Sequence, residues 1–440
     1  MLGINSLVNN LNTAIAVTPV VDLKLIQMTA SIDAVQNYSK SQIEELTATS
    51  ASENKGRIVY ANDRKQYVYS NGTNWNIDKD PDYLIYSWGG RDNGILGDGT
   101  TIGKSSPNPI PFLRNDRYID IAGTEYGFAA LTPDGFIETW GEGVNGKLGD
   151  NSTVNKSSPV RITAGTAQWI ALAQGPVADH NFALRSNGTL WAWGFNQYGQ
   201  LGDGLTINKA SPVAVIGGIT DWKQVVKGDI YSVALRHNQE IYAWGQASQN
   251  RTTHSVGRSS PTLIVGGALF WNKIACNGTA ANMALDMNGN LYAWGAGSNG
   301  QLGDGFTISR ASPVLIADGG IVWTDIVGTR SAFFAKATDG TLWAWGFNAA
   351  GQLGNNTTLN RSSPVQVAGG FSDWVDLSGN NAIAAIRSNG SLWTWGGNDS
   401  RGVLGIGSPN VDRSSPVQVS FVGKDKWTLV ASTLYGCVGW

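Results

Sequence analysis

Residues of the types that do chemistry are few in this 440-residue chain, and they are scattered. The three histidines, His180, His237 and His254, stand in different contexts, whereas metal ligation needs His, Cys or carboxylate side chains gathered around one point. No metal and no cofactor is therefore expected. His180, in Ala-Asp-His-Asn-Phe-Ala-Leu, precedes an apolar strand-like run and reads as a structural hydrogen-bonding residue rather than a general base. Four aspartates recur in one setting: Asp98, Asp150, Asp203 and Asp304 each follow Leu-Gly and precede Gly or Asn. A carboxylate there most simply accepts backbone N–H groups within a turn. A calcium loop would need several oxygen ligands at alternating positions. No catalytic residue is assigned, and the chain is expected not to be an enzyme.

Composition narrows the classes further. Hydrophobic residues make up 42% of the chain and charged ones 15%, with 56 glycines and 18 tryptophans, a turn-rich and aromatic-rich β composition. A formal net charge of -2 supplies no positive field for nucleic acid, so nucleic acid is not expected as a partner. The amino terminus (MLGINSLVNN) lacks a basic segment ahead of an apolar core, and no apolar run is long enough to span a bilayer. A soluble chain made without a signal peptide and without membrane insertion is expected.

Self-similarity organises the rest. A Trp-Gly pair recurs at Trp88, Trp140, Trp193, Trp244, Trp294, Trp345 and Trp395, at intervals of roughly fifty residues. Downstream of each lies Ser-Ser-Pro or Ala-Ser-Pro, ending at Pro107, Pro159, Pro212, Pro261, Pro313, Pro364 and Pro416. An aromatic residue then opens the next apolar segment: Tyr118, Trp169, Trp222, Trp271, Trp323, Trp374 and Trp427. Between that segment and the following Trp-Gly sit Asp134-Gly135, Asn187-Gly188, Asn288-Gly289, Asp339-Gly340 and Asn389-Gly390, dipeptides that accept positive φ and favour tight hairpins. Asn238-Gln239 departs from this pattern. Each unit therefore reads as four antiparallel strands, a propeller blade that must stack on its neighbours to bury both faces.

The ends predict closure. DKWTLVASTLYGCVGW supplies the first two strands of a blade and stops at Trp440, while Tyr83 to Trp88 forms a third strand with nothing ahead of it. Together they complete one blade and remove two strand edges. Residues 83–440 are accordingly expected as an all-β, seven-bladed β-propeller closed by N- and C-terminal strands in one blade. Cys276 and Cys437 fall in its fourth and seventh repeats, too far apart to bridge, and are expected as buried thiols.

Trp-Gly-x-Asn, Gly-Gln-Leu-Gly-Asp, Ser-Ser-Pro-Val and Asp-Trp at this period resemble the repeats of the regulator of chromosome condensation family. The resemblance implies the same seven-bladed, terminus-closed propeller. Gly-x-Leu-Gly is kept in six units, from Gly94–Gly97 to Gly402–Gly405, and lost in residues 245–261. The family's second-strand histidine reads as replaced by residues such as Tyr126, Ser232 and Asn282. The family's founder exchanges nucleotide on a small GTPase and binds chromatin by means of an inserted wedge and a basic tail, and this chain has neither. Propeller lyases of related architecture need a histidine base and a cation among charged residues of the central face, a set not found in this sequence.

Residues 1–50 carry a helical pattern. Leu25, Met28, Ile32 and Val35 step by three, four and three, and Ile43 and Leu46 continue after a slip at Ser39. So narrow a stripe suits either a coiled coil between subunits, such as a homotrimer, or a helix against the propeller's rim. Residues 51–82 hold a linker and a small β-hairpin, Ile58 to Tyr60 and Tyr67 to Tyr69, with Asn71-Gly72 leading to Trp75. This hairpin looks like the module of fibre and tail proteins of tailed bacteriophages. The expected function is thus a non-enzymatic phage virion appendage, with virion localisation, whose propeller binds a host-surface receptor or another virion protein. The alternatives are an inhibitor or regulator of an enzyme, and an exchange-factor-like propeller. In the divergent loop Gln246 to Gly257, Arg251 and His254 are the candidate partner contacts, against the reading of simple drift in that loop.

Overall fold

The computed structural model describes residues 84–90, 93–114, 118–162, 168–175, 178–246, 257–264, 270–278, 280–316, 319–420 and 426–440, with four short strands among the first eighty residues. Seven four-stranded antiparallel sheets follow one another along residues 84–440. They are numbered here from the sheet that follows Tyr118 (blade 1) to the sheet that joins both ends of the chain (blade 7). Blade 3 represents them all, with strands Trp222–Lys227, Tyr231–Arg236, Ile241–Gly245 and Arg258–Leu263 paired in that order.

Burial explains each strand's composition. Second strands such as Ala281–Asp286 are buried throughout because neighbouring blades cover both faces of the sheet, so they read as continuous apolar runs rather than alternating ones. Fourth strands such as Arg361–Gln366 lie at the edge and are only partly buried, which accounts for their Ser-Ser-Pro start. The hairpin glycine joining second to third strand has φ of +83° at Gly390, where a side chain would be strained. Gln239 takes the same left-handed conformation, φ 73°, without being glycine.

Closure is as the ends required. In blade 7, Val430–Ser432 pairs with Gly436–Gly439, which pairs with Leu84–Gly89, which pairs with Lys104–Arg114. Cys437 lies opposite Trp88 and Gly439 opposite Tyr86. Both cysteines are buried free thiols. The register moves one expectation by a residue. His180 lies opposite Gly194, and the positions matching it are Gly127, Tyr231 and Ala281, not Tyr126, Ser232 and Asn282. An offset of one matters because successive strand residues face opposite sides.

In the amino-terminal region, Ile58–Ala61, Gln66–Ser70 and Trp75–Asp78 form an antiparallel sheet, as the hairpin pattern anticipated, and Asn37–Tyr38 pairs with its edge in parallel. Asn37–Tyr38 is all that is described of the expected helical segment. Leu25, Met28, Ile32, Val35, Ile43 and Leu46 lie outside the described residues.

Candidate protein-binding face

One interaction, repeated from blade to blade, sets the upper face of the ring. The tryptophan of each Trp-Gly pair is buried, and five of the seven donate the indole N–H to the carbonyl of residue x in the Gly-x-Leu-Gly loop of the preceding blade. Trp140 donates to Ile95 (3.1 Å), Trp193 to Lys147 (3.1 Å), Trp244 to Gln200 (2.8 Å), Trp395 to Gln352 (2.8 Å) and Trp88 to Val403 (3.0 Å). The second glycine of that loop lies flat on the indole: a Cβ at Gly202 would stand 2.8 Å from Trp244 Nε1. Glycine is therefore required by close approach as well as by its φ of +71°. The tryptophans do serve inter-blade packing, and through it they hold the loops rigid.

The repeated aspartates do what their turns suggested. Asp98, Asp150, Asp203 and Asp304 accept the N–H of Thr100, Ser152, Leu205 and Phe306 at 2.9 to 3.1 Å. Among the described residues no group of three or more His, Cys, Asp or Glu could hold a metal. His180 is fully buried against Ser232 Oγ (3.0 Å), and burial, with Lys227 nearby, pushes its pKa down to about 3.

The same face carries the connections between first and second strands, and at blades 1, 2 and 3 these bring in the carboxylates of Glu125, Asp179 and Asp229. Lys147 takes the place that glutamine holds in blades 2, 4 and 5, and its side chain is 1% exposed. Its ammonium pairs with Glu142 (2.5 Å) in its own blade and Asp179 (2.6 Å) in blade 2, and lies 5.0 Å from the Tyr126 ring. Tyr126 stacks on Tyr435 at 5.4 Å, and the Arg401 guanidinium covers Tyr435 at 4.7 Å. Asn181 links this group to the interior: its amide donates to the Lys147 carbonyl, and its Oδ1 accepts from Lys227 Nζ at 2.6 Å. Lys227 is wholly buried, and that burial draws its pKa down to about 7 against the pull of Cys276 and Asp179. Burial, with Asp179 and Asp229 close by, holds the Glu125 carboxyl above its ordinary range.

Along the axis, the first strands of six blades, with Gln174 and Gly175 just beyond that of blade 2, line a cavity of about 310 Å³. Its wall is stitched two residues beyond five of the seven opening aromatics. Asp120 accepts the Leu172 N–H (3.2 Å), Gln224 exchanges two bonds with Ile274, Lys273 pairs with Asp325, and Asp376 accepts the Val430 N–H (2.8 Å). Burial raises the pKa of Asp120 and Asp376. Sequence reasoning missed this collar, although the fixed spacing from the aromatic was a readable signal. It also missed the Lys147 cluster, whose members come from four blades. Arg251 and His254 lie outside the described residues.

Comparison with known proteins follows the same outline. The model of the regulator of chromosome condensation (RCC1) repeat matches residues 84–131, 187–235, 288–327, 339–379 and 389–438. The chain is 27% identical over 391 residues to the mitochondrial RCC1 domain-containing protein RUG3 of Arabidopsis thaliana, covering 80% of this chain and 86% of that one. It is 28% identical over 382 residues to the ultraviolet-B receptor UVR8 of the same plant, covering 83% and 84%. The crystal structure of Prp20p from Saccharomyces cerevisiae superimposes with a TM-score of 0.70 at 21% identity, over 82% of this chain and 92% of that one. These relatives correct the expected virion localisation. They are proteins of eukaryotic cells, one of them mitochondrial, and nothing among them supports a phage appendage, a host-surface receptor or a virion partner. The hairpin resemblance behind that expectation rested on about twenty residues, too short a match to outweigh one spanning the propeller.

Proposed function

Because this chain belongs to the regulator of chromosome condensation (RCC1) repeat family, we propose that it is a protein-binding propeller that regulates a partner held against its loop face. The observation that carries this reading is the charged and aromatic group at blades 6, 7, 1 and 2: Tyr126, Glu142, Lys147, Asp179, Arg401 and Tyr435. The inter-blade tryptophans repeat around the ring and answer to folding, whereas these side chains do not repeat, and they stand on loops the tryptophans immobilise. A preorganised surface loses little entropy on binding. Relatives point the same way: one is named a receptor, and the Prp20p structure is titled with binding to Gsp1p and histones.

The test is cross-linking of the full chain to captured partners, read by mass spectrometry, with paired charge reversals. Arg401→Glu on the loop face is expected to abolish capture, and Lys426→Glu on the opposite face to leave it intact. Cross-links that map to the opposite face, or capture lost only with Lys426→Glu, would refute the assignment.

A further inference from the structure

Five residues before the proline of every repeat stands an aliphatic residue, and two residues after it a cation: Ile102 and Lys104, Val154 and Lys156, Ile207 and Lys209, Val256 and Arg258, Ile308 and Arg310, Leu359 and Arg361, Val411 and Arg413. The fold does not bury the aliphatic residue. In the six described cases it is between 42% exposed, at Val411, and 64% exposed, at Leu359. Its carbonyl is turned inward in blades 2 and 5, where the buried amides of Asn196 and Asn348 donate to Ile207 O and Leu359 O, so the side chain is held outward on a rigid loop.

The cation divides the ring. In blades 1, 2 and 4 it is neutralised within its own blade, Lys156 by Asp150 (3.4 Å), Lys209 by Asp203 (3.6 Å) and Arg310 by Asp304 (2.7 Å). In blades 5 and 6 the aspartate position holds Asn355 and Ile406. Arg361 and Arg413 make no ion pair among the described residues, and the Nε of each is buried without an acceptor. These two arginines flank one turn. Asn355 takes the place from which Asp304 reaches Arg310, and the adjoining Asn356 N–H donates to the carbonyl of Ser414, next to Arg413 (2.8 Å). The nearest carboxylate in sequence, Asp412, is engaged by the Asn398 N–H.

We propose that this rim of blades 5 and 6 docks a partner-protein segment in which carboxylate side chains alternate with aliphatic ones. The guanidiniums of Arg361 and Arg413 take the carboxylates as two-pronged donors, and Leu359 and Val411 cover the aliphatic side chains. Arginine in place of lysine fits that geometry. The proposal rests on the reading of the loop face as a protein-binding surface and adds the chemistry of what binds.

The experiment is a fluorescence-anisotropy titration of the full chain with a labelled peptide of alternating Glu and Leu, beside its Gln-Leu counterpart. The Glu-Leu peptide is expected to bind and the Gln-Leu peptide at least tenfold more weakly. Asn355→Asp, which gives Arg361 the partner Arg310 already has, is expected to weaken binding about tenfold. Arg361→Gln combined with Arg413→Gln should abolish it, and Lys156→Gln in blade 1 should not change it. Circular dichroism confirms that each variant is folded. Equal binding of the two peptides, an unaltered affinity in Asn355→Asp, a loss with Lys156→Gln, or equal competition by a DNA oligonucleotide would each overturn the proposal. A chain that captures partners through the loop face yet ignores the peptide sinks this inference alone.

Discussion

Two neighbouring junctions of the ring are built from the same repeat and held in different ways. Between blades 2 and 3 the outer loop does the joining: Gln200 O accepts both the Trp244 indole (2.8 Å) and Ser232 Oγ (2.9 Å), with Gly202 laid on the ring and Lys227 reaching Asn181. Between blades 3 and 4 the Gly-x-Leu-Gly sequence is gone, and Trp294 Nε1 has no acceptor among the described residues. Bonds nearer the axis take over there. Tyr231 OH lies 3.1 Å from Asn277 O and 3.2 Å from Ala281 O, Gln224 exchanges two bonds with Ile274, and Lys223 Nζ donates to Asn272 O. A repeat can therefore lose its signature loop and keep its place, provided a second layer of contacts crosses the same junction. Among the described residues Trp345 Nε1 also lacks an acceptor although the Gly-x-Leu-Gly sequence facing it is intact, and nothing in the structure accounts for this.

The comparison breaks most sharply at Gly202. Gly202→Ala forces a positive φ on alanine and drives its Cβ into Trp244, so a loss of about 3 kcal/mol is expected in chemical denaturation. A loss below about 1 kcal/mol would mean that the loop does not bear on the junction. Next, Trp244→Phe should cost about 1 to 2 kcal/mol more than Trp294→Phe, because among the described residues only the first removes a buried hydrogen bond. Equal losses would erase the distinction between the two junctions. Tyr231→Phe should cost about 1 kcal/mol and loosen blades 3 and 4 together in hydrogen exchange, with blades 5 and 6 unaffected.

A further effect is one of pH. Lys227 binds its proton with a pKa of about 7 when folded, against 10.5 ordinarily. Between those values the unfolded chain holds a proton that the native chain lacks, so this residue makes stability rise with pH across that window. Lys227→Gln should remove that rise, its advantage over the parent protein being greatest at pH 7 and below. Parallel stability curves for the two proteins from pH 7 to 10 would show Lys227 to be charged when folded.

Seven copies of a marker made the blade count legible, and the split of one blade between the two ends made closure legible, because both answer to local needs: a turn that wants positive φ at Gly390, an indole that wants a buried slot. The aspartate turns were equally local and equally readable. The Lys147 group was not, since Lys147, Asp179, Arg401 and Tyr435 are far apart along the chain and meet only when the ring is complete. The expected virion role failed for a related reason, resting as it did on a short hairpin motif whose surroundings a sequence does not specify.

By itself, then, the order of residues determined the strands, their hairpins, the number of blades and the joining of the ends, since hydrogen-bonding and burial requirements recur with the period of the unit that satisfies them. Only the tertiary structure decided which carbonyl receives the indole of Trp88, Trp140, Trp193, Trp244 and Trp395, that Lys227 lies in the interior, and that Arg361 and Arg413 make no ion pair among the described residues. Those properties belong to the spaces between blades, and such spaces are fixed by how whole sheets pack rather than by any one stretch of chain.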